Sequence, residues 1–268
     1  MSRKAGLGRS IRLFRAFRFE QADPDTFYRI VAADSVAQVA GYTELAGKVV
    51  LDVGGGVGYV TDAFRQEGAA CVLVEPDLAN LDPARSRPDP RVTGRPHQVS
   101  VAPGRRIPAG SVMGDGCRLP FRDGVADVAF SANVLEHVED PFRFMTEMVR
   151  VTRPGGIVYV AFTNWYSPWG GHETSPWHYL GGARAAERYR RVTGFPPIHE
   201  CGKNLFPVHV GPTLRWIRHW SAVEVLEAGP RYHPWWCDWI VDVPGLREVA
   251  TWNLLLILRR TSDPSLHV

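Results

Sequence analysis

The chain has 268 residues, of which 45% are hydrophobic and 22% charged, a balance typical of a folded globular protein rather than a disordered one. The formal net charge is +3, but residues 1–20 carry six basic side chains against one acidic side chain, so the rest of the chain is slightly acidic. This distribution argues against a broad nucleic-acid-binding face and confines any strong attraction to anions to the N-terminal segment.

The cysteines and the apolar runs indicate the cellular compartment of the protein. Four widely spaced cysteines form no CxxC pair, which favours reduced thiols. The N-terminus lacks an apolar stretch of signal-peptide length, and the apolar run at residues 254–258 is far too short to span a bilayer. We therefore expect a cytoplasmic protein.

Two helical patterns open the chain. On a helical wheel, one side of the first helix is apolar and the other basic; the apolar side holds Leu7, Ile11, Leu13, Phe14 and Phe17, and the basic side Arg9, Arg12 and Arg15. Such a stripe fits packing on the domain with solvated arginines, which we favour, or peripheral contact with an anionic membrane. The second pattern, residues 23–39, starts with Asp23-Pro24, a good N-cap and first-turn pair.

Strands and helices alternate from residue 48 onward. Short apolar, β-branched runs predict strands at residues 48–53, 71–75, 112–113, 127–131, 156–162, 222–226 and 253–259, with helices at 57–66 and 141–151 between them. This alternation predicts a doubly wound α/β sheet. Residues 80–110 contain six prolines and no helical stripe, which predicts a long surface loop or a partly disordered segment.

A glycine-rich loop, DVGGGVG at residues 52–58, follows the first strand directly and opens a helix. Its glycines allow a ligand to approach the backbone, and the helix N-terminus adds amide donors. The spacing is GxGxG, because Tyr59 stands where the dinucleotide motif GxGxxG requires a small residue. Glu75 ends the second strand, where a carboxylate can accept hydrogen bonds from both hydroxyls of a ribose.

Further motifs follow in order. GDGCRLPFRDGVADVAFSANVLEHVEDP occupies residues 114–141, and RVTRPGG occupies residues 150–156. With the glycine loop and Glu75, this set resembles class I S-adenosylmethionine-dependent methyltransferases of the small-molecule type, over residues 48–162. The resemblance implies a Rossmann-like, seven-stranded sheet whose last strand is antiparallel, with N-terminal helices and a C-terminal acceptor lid insertion. We expect one methyltransferase domain over residues 1–268, divided into a helical cap (1–45), a cofactor-binding core (46–163) and an acceptor lid with the final strands (164–268).

The resemblance also assigns residues that bind S-adenosylmethionine. Around its methionine part it implies Asp52, Gly54, Gly55, Gly56 and Gly58; at the ribose, Glu75 with the adjoining Pro76; at the adenine, Asp115, Gly116 and Cys117; and in the cleft near the methionine end, Asn133 and Val134. Of these, Asp115 would accept a hydrogen bond from the adenine amino group.

The acceptor determines what further chemistry is needed. Transfer from a sulfonium is an in-line displacement that depends mainly on alignment, but a hydroxyl acceptor must also lose its proton. The segment GGHETSPWHYLGG, residues 170–182, follows the fifth strand on the side where open α/β sheets bind ligands. We predict His172 as the general base and Glu173 as the residue that orients it, with Trp177, His178 and Tyr179 as possible substrate contacts. His137 of LEHV is a second candidate base; for all of these, a purely structural role remains the alternative.

A metal site is the less favoured interpretation of the same segment. HExxxxH, from His172 to His178, does not match the HExxH spacing, and Pro176 opposes a continuous helix. His199, Glu200 and Cys201 could in principle supplement it, but we predict no metal.

All nine tryptophans lie after residue 162. Ordinary packing explains some of them, yet the concentration favours a broad apolar or sugar-stacking acceptor pocket. The predicted reaction is methyl transfer to a small molecule, at a hydroxyl of a glycosylated natural product, glycolipid or lipid, with no nucleic-acid partner. A nucleic-acid or protein methyltransferase and a non-catalytic S-adenosylmethionine-binding protein remain alternatives.

Overall fold

A computed structural model describes residues 6–20, 22–77, 98–102, 105–108 and 110–262. Its centre is a seven-stranded sheet in the order β5-β2-β1-β6-β7-β9-β8. The strands are β1 (Val49–Val53), β2 (Ala70–Glu75), β5 (Gly110–Met113), β6 (Ala126–Ala132), β7 (Thr152–Thr163), β8 (Val223–Pro230) and β9 (Asn253–Arg260). All seven strands predicted from the sequence are therefore present in one sheet.

The direction of the strands confirms the predicted topology. β5, β2, β1, β6 and β7 pair in parallel, whereas β9 is antiparallel to both of its neighbours, β7 and β8. The last strand thus inserts between two earlier ones and runs against them. The carboxyl ends of the five parallel strands consequently meet at one edge of the sheet, where the candidate site lies.

Helices cover both faces of the sheet because side chains alternate between the faces along each strand. Val49, Leu51 and Val53 of β1 pack on one face with α4 (Pro141–Val151) and α6 (Val210–Arg218). Val50 packs on the other face with α2 (Pro24–Ala40) and α3 (Tyr59–Gln66). The Asp140 carboxylate caps α4 by accepting a hydrogen bond from the Arg143 amide at 3.0 Å, as its sequence predicts.

Two helices precede the sheet, α1 (Leu7–Phe17) and α2 (Pro24–Ala40). The packing of α1 follows the prediction only in part: Leu13 of the apolar side is buried, whereas Leu7, Ile11 and Phe14 are exposed and Ser10 and Ala16 are buried instead. The reason is an ion pair that the apolar pattern does not show. Arg9 lies against the buried Asp34 of α2 at 2.7 Å and also donates to the Arg231 carbonyl at 2.9 Å, which turns its side of the helix inward.

The proline-rich segment contains regular structure, contrary to the loop predicted there. Gln98–Ala102 (β3) and Arg105–Pro108 (β4) form an antiparallel pair separate from the main sheet. The sequence did not suggest a hairpin because the strands are short and the six prolines of the segment favour irregular backbone. The remainder of the predicted loop, residues 80–97, 103–104 and 109, lies outside the described residues.

The C-terminal part surrounds the end of β7. Short 3-10 turns at His172–Thr174 and Trp177–Leu180 lead into α5 (Gly182–Thr193), and α7 (Leu246–Ala250) precedes β9. In the part of the chain that the structure describes, no helix is long and apolar enough to cross a membrane.

Candidate active site

A cavity of about 940 Å³ opens where β1, β2 and β6 end. Nine of the twelve residues predicted to bind S-adenosylmethionine line it, namely Gly54, Gly56, Glu75, Pro76, Asp115, Gly116, Cys117, Asn133 and Val134. Asp52, Gly55 and Gly58 do not line it. The motifs read from separate parts of the chain therefore converge on one site.

The glycine loop lies close against the turn after β6. Gly54 has a φ of 74°, and a Cβ there would stand only 2.6 Å from a methyl carbon of Val134. A larger residue at Gly54 is excluded both by this contact and by its left-handed backbone. The loop thus forms a bare backbone wall, which is what a bulky ligand with polar groups needs at close range.

Asp52 has a different position from the one predicted. Its carboxylate is buried beneath the loop, where it accepts a 2.7 Å hydrogen bond from the Thr61 hydroxyl of α3, and it does not line the cavity. Burial raises its pKa to about 6, although the bond from Thr61 opposes that shift. Gly55 leaves room for this carboxylate, since a Cβ there would lie 2.3 Å from its Oδ2. Asp52 supports the loop from below.

Glu75 stands at the end of β2 with its carboxylate on the cavity wall. One oxygen accepts a hydrogen bond from the Gly56 amide at 3.0 Å, and the other accepts one from the Asp77 amide at 3.4 Å. These bonds fix the carboxylate between the glycine loop and the end of the strand. A fixed carboxylate in this place suits the hydroxyls of a ribose.

The wall opposite is formed by the turn after β5. The Asp115 carboxylate accepts a hydrogen bond from the Cys117 amide at 2.8 Å, so part of its capacity is used in holding the turn. Gly116 lets the Phe144 ring approach, because a Cβ there would lie 2.2 Å from a ring carbon. Burial, and then the charges of Asp115 and Asp140, raise the pKa of Cys117 to about 11, so its side chain is a neutral thiol.

Asn133 connects the cavity to the C-terminal strands. It has a φ of 57°, unusual for a residue other than glycine, and its side-chain oxygen accepts a 2.8 Å hydrogen bond from the Asn253 amide group. The buried Arg231 guanidinium lies 3.5 Å from the same oxygen. Asn253 and Arg231 are functional candidates that the motifs do not reveal, because both lie far from Asn133 in the chain.

Three histidines meet at the margin of the cavity. One potential ligand atom of each of His137, His172 and His199 lies within 4.8 Å of the other two. His137 and His199 line the cavity, and so does Asn204, whose carbonyl lies 2.8 Å from Nδ1 of His137. Because a carbonyl only accepts, Nδ1 of His137 carries the proton and its Nε2 is left as an acceptor.

Glu173 orients His199, and this corrects the predicted pairing with His172. One carboxylate oxygen lies 2.8 Å from His199 Nδ1, and the other accepts from the His199 backbone amide at 2.7 Å. Burial alone would raise the pKa of Glu173, but these bonds outweigh it and lower that pKa. Glu173 and His172 do not line the cavity, whereas His199 does.

His172 lies behind its two partners with a φ of 50°. Its Nδ1 is buried and has no hydrogen-bond partner among the described residues. Burial, reinforced by the neighbouring His137 and His199, lowers its pKa to about 4. An imidazole held neutral in this way is a weak base, and His172 does not line the cavity, whereas His199 does; the structure therefore favours His199 for proton removal.

The other side chains of the 170–182 segment pack within it and against neighbouring residues of the C-terminal part. His178 is buried and fills the space that Gly171 leaves, and the Tyr179 hydroxyl donates to the Tyr166 carbonyl at 3.1 Å. Trp177 lies under the Arg188 guanidinium, 3.9 Å from the ring centre. The predicted substrate contacts at Trp177, His178 and Tyr179 therefore do not line this cavity.

The tryptophans also differ from the expectation. None of the nine lines the cavity; Trp165 and Trp220 are buried in the core, while Trp169, Trp177, Trp235, Trp236 and Trp239 are exposed. An aromatic group beside α1, defined by Phe14, Phe17, Trp169, Tyr232 and Trp252, makes edge and stacked contacts at 5.2 to 6.3 Å. Any stacking surface that the tryptophans offer to an acceptor thus lies outside the cavity.

Proteins of mycobacteria are similar in sequence to this chain over almost its whole length. Residues 51–160 match a family described as a methyltransferase domain. An uncharacterized methyltransferase of Mycobacterium sp. (strain KMS) is 43% identical over 264 residues, covering 96% of this chain and 97% of its own. The chain is a class I S-adenosylmethionine-dependent methyltransferase. An uncharacterized methyltransferase of Mycolicibacterium gilvum is similar to it at 45% identity over 265 residues, with 96% of each chain covered.

Solved structures share the fold of the methyltransferase. An S-adenosylmethionine-dependent methyltransferase from Mesorhizobium loti superposes with a TM-score of 0.52 at 20% identity, over 85% of this chain and 98% of that one. A geranyl diphosphate C-methyltransferase from Streptomyces coelicolor, solved with Mg²⁺, geranyl diphosphate and S-adenosyl-L-homocysteine, gives 0.54 at 15% identity over 88% and 82% of the two chains.

Proposed function

We propose that the methyltransferase transfers a methyl group from S-adenosylmethionine to a hydroxyl of a small molecule, of the glycosylated natural product, glycolipid or lipid class. The Glu173–His199 pair is the observation that supports a hydroxyl as the methyl acceptor, because the His199 imidazole lines the cavity beside His137. An oxygen acceptor needs such a group to take up its proton, whereas an amine acceptor needs only to arrive neutral.

The residues around the cavity suit S-adenosylmethionine as the methyl donor. When bound, it supplies a methyl group on a sulfonium, already activated for displacement. The bare backbone at Gly54 and the carboxylate of Glu75 offer the close approach and the paired acceptors that an adenosine with an attached amino acid requires. Asp115 and Cys117 flank the far end, with the Phe144 ring beside them.

The chain's own residues would work mainly by alignment. The Asn253–Asn133 bond and the close contact between Gly54 and Val134 fix the wall between the cofactor side and the histidines. Holding two reactants in register can lower a barrier by about 7–11 kcal/mol. His199, held by Glu173, then takes the acceptor's proton at its Nε2, the nitrogen that the carboxylate leaves available.

The surfaces near the site support a lipid or sugar-bearing molecule as the methyl acceptor. The aromatic group beside α1 and the exposed tryptophans offer apolar and stacking area, and a broad basic face is missing from the charge distribution. We also propose that α1 makes peripheral contact with an anionic membrane, because Leu7 and Ile11 are exposed beside the exposed Arg12 and Arg15. Such contact would bring the enzyme to a lipid acceptor.

Calorimetry tests the cofactor site. Wild type is expected to bind S-adenosylmethionine and not NAD, and Glu75→Gln to bind it at least tenfold more weakly, since an amide cannot accept at both of its positions. Glu67→Gln, at an exposed position after α3, is the matched control and should bind as wild type does. Tighter binding of NAD than of S-adenosylmethionine would overturn the assignment.

Methyl-labelled S-adenosylmethionine tests the acceptor. Incubated with extracts separated into lipid, sugar, protein and nucleic-acid fractions, the enzyme is expected to label the lipid or sugar fraction. Label found mainly in RNA, DNA or protein would reject a small-molecule acceptor. If no fraction is labelled while S-adenosylmethionine still binds, a non-catalytic binding protein replaces the proposal.

A further inference from the structure

We propose that His137, His172 and His199 form a Zn²⁺ site at the margin of the cavity. The three imidazoles come from separate places, namely the turn after β6, the turn at residues 172–174 and the loop after α5, yet one ligand atom of each lies within 4.8 Å of the other two. In a tetrahedral zinc site, nitrogens about 2.0–2.1 Å from the ion stand roughly 3.3 Å apart. Small rotations of the side chains would close the difference.

The hydrogen bonds of two of these imidazoles leave the correct nitrogens available. Nδ1 of His137 donates to the Asn204 carbonyl, and Nδ1 of His199 donates to the Glu173 carboxylate. Both Nε2 atoms are therefore acceptors with a lone pair. A histidine ligand held by a carboxylate or carbonyl at its other nitrogen is the usual arrangement around protein-bound zinc, because it fixes the ring and raises its basicity.

The third imidazole supplies an independent observation. Nδ1 of His172 is buried and unpartnered within the described residues, on a backbone held at a φ of 50°. A buried polar nitrogen without a partner is costly, and in native structures such an atom calls for an explanation. A shared ion gives the three neighbouring rings a common partner.

The donor set indicates both the metal and the type of site. Three imidazoles without a carboxylate ligand suit Zn²⁺ rather than Mg²⁺ or Ca²⁺. Three protein ligands leave a fourth position, as in catalytic zinc sites, where the pKa of a bound oxygen falls toward 7. Since His137 and His199 line the cavity, this position would face an acceptor hydroxyl. This catalytic role of the ion rests on the proposed function. With zinc bound, the ion would replace His199 as the group that promotes loss of the acceptor's proton. Zinc binding itself does not depend on the proposed function.

Titration of chelator-treated, full-length protein with Zn²⁺ tests the site. Wild type is expected to bind one Zn²⁺ per chain with a Kd below about 1 µM, and Co²⁺ to give the visible absorption of a tetrahedral site. His199→Gln and His172→Asn are expected to bind at least 100-fold more weakly; asparagine tolerates the positive φ at residue 172. Glu173→Gln should weaken binding 10–100-fold, as loss of a residue that orients a ligand does.

His219→Gln is the matched control. His219 is exposed at the end of α6, where its Nδ1 lies 2.7 Å from the Arg215 carbonyl, and its replacement should leave zinc binding unchanged. Calorimetry with S-adenosylmethionine shows for each variant that the fold and cofactor site are intact. Wild-type protein that binds S-adenosylmethionine but not Zn²⁺, or His172→Asn and His199→Gln binding zinc as wild type does, would overturn the metal site without touching the proposed function.

Discussion

The buried Asp52 carboxyl is expected to make the stability of the protein depend on pH. Because burial raises its pKa from 3.8 to about 6, the folded protein binds more protons than the unfolded chain between these pH values. The free energy of unfolding therefore falls as pH rises from about 4 to 6, and this penalty then stays constant. At 1.36 kcal/mol per pKa unit it amounts to about 3 kcal/mol at most.

Asp52→Asn should remove that penalty while keeping an acceptor for Thr61. We expect the variant to be about 1–3 kcal/mol more stable than wild type at pH 7, and this difference to shrink toward zero as pH falls to 4, measured by urea unfolding without cofactor. Asp242→Asn, at an exposed carboxylate, is the control, with an expected change below about 0.5 kcal/mol. Parallel stability curves for Asp52→Asn and wild type would contradict the assignment of the shift to this carboxylate.

Individual residues were predictable to the extent that local sequence fixes their place. Glu75 ends a strand and Asn133 follows one, and a strand's carboxyl end is recognisable from its apolar run. His199 was not predictable as a partner of Glu173, because 26 residues and a whole helix separate them and nothing local shows that the loop returns. Likewise, Asp52 matches its motif, yet only the packing under the loop shows that it faces Thr61.

At the scale of elements, the docking of α1 depends on one ion pair more than on its apolar stripe. Arg9 is largely buried against Asp34, with a further bond to the Arg231 carbonyl, whereas Arg12 reaches Asp34 only from the surface. Loss of a buried partner costs about 3–5 kcal/mol, and the remaining Arg12 reduces this. We expect Arg9→Ala to destabilise the docked helix by about 2 kcal/mol.

Hydrogen exchange measures this effect directly. In Arg9→Ala, amides of Leu7–Phe17 should exchange roughly 30-fold faster, as 2 kcal/mol implies, while β1 and β6 stay protected. Arg15→Ala removes an exposed arginine of the same helix and should exchange as wild type does. Unchanged protection of α1 in Arg9→Ala would show that its apolar contacts suffice.

The elements themselves were predictable wherever the hydrophobic period was clear. The seven strands and the capped helices, α2 and α4, follow from local composition and from Asp-Pro at their starts. The side that α1 buries was not predictable, because the burial of an arginine depends on an aspartate in another helix. The β3–β4 hairpin was missed since its short strands pair only with each other.

For the whole molecule, the ordered set of motifs predicted the topology, because each motif belongs to a fixed position in one sheet. The division into cap, core and lid remains a prediction.

The N-terminal segment combines positive charge with exposed apolar side chains. The excess of basic residues lies at the N-terminus, and there Leu7 of α1 is 53% exposed and Ile11 is 42% exposed. Basic and apolar groups side by side are what an anionic bilayer binds.

Sedimentation with lipid vesicles tests the proposed membrane contact. Wild type should pellet with vesicles containing anionic lipid, less with neutral vesicles, and less again at high salt. Burying the exposed parts of Leu7 and Ile11 contributes about 1 kcal/mol each, so the double variant Leu7→Ser/Ile11→Ser should bind about 30-fold more weakly. Val192→Ser/Phe195→Ser removes even more exposed apolar groups around the end of α5 and should bind as wild type does. Equal pelleting of the two double variants would place the membrane contact elsewhere, whereas loss confined to the α1 variant would assign the contact to this helix, because its basic and apolar groups act together.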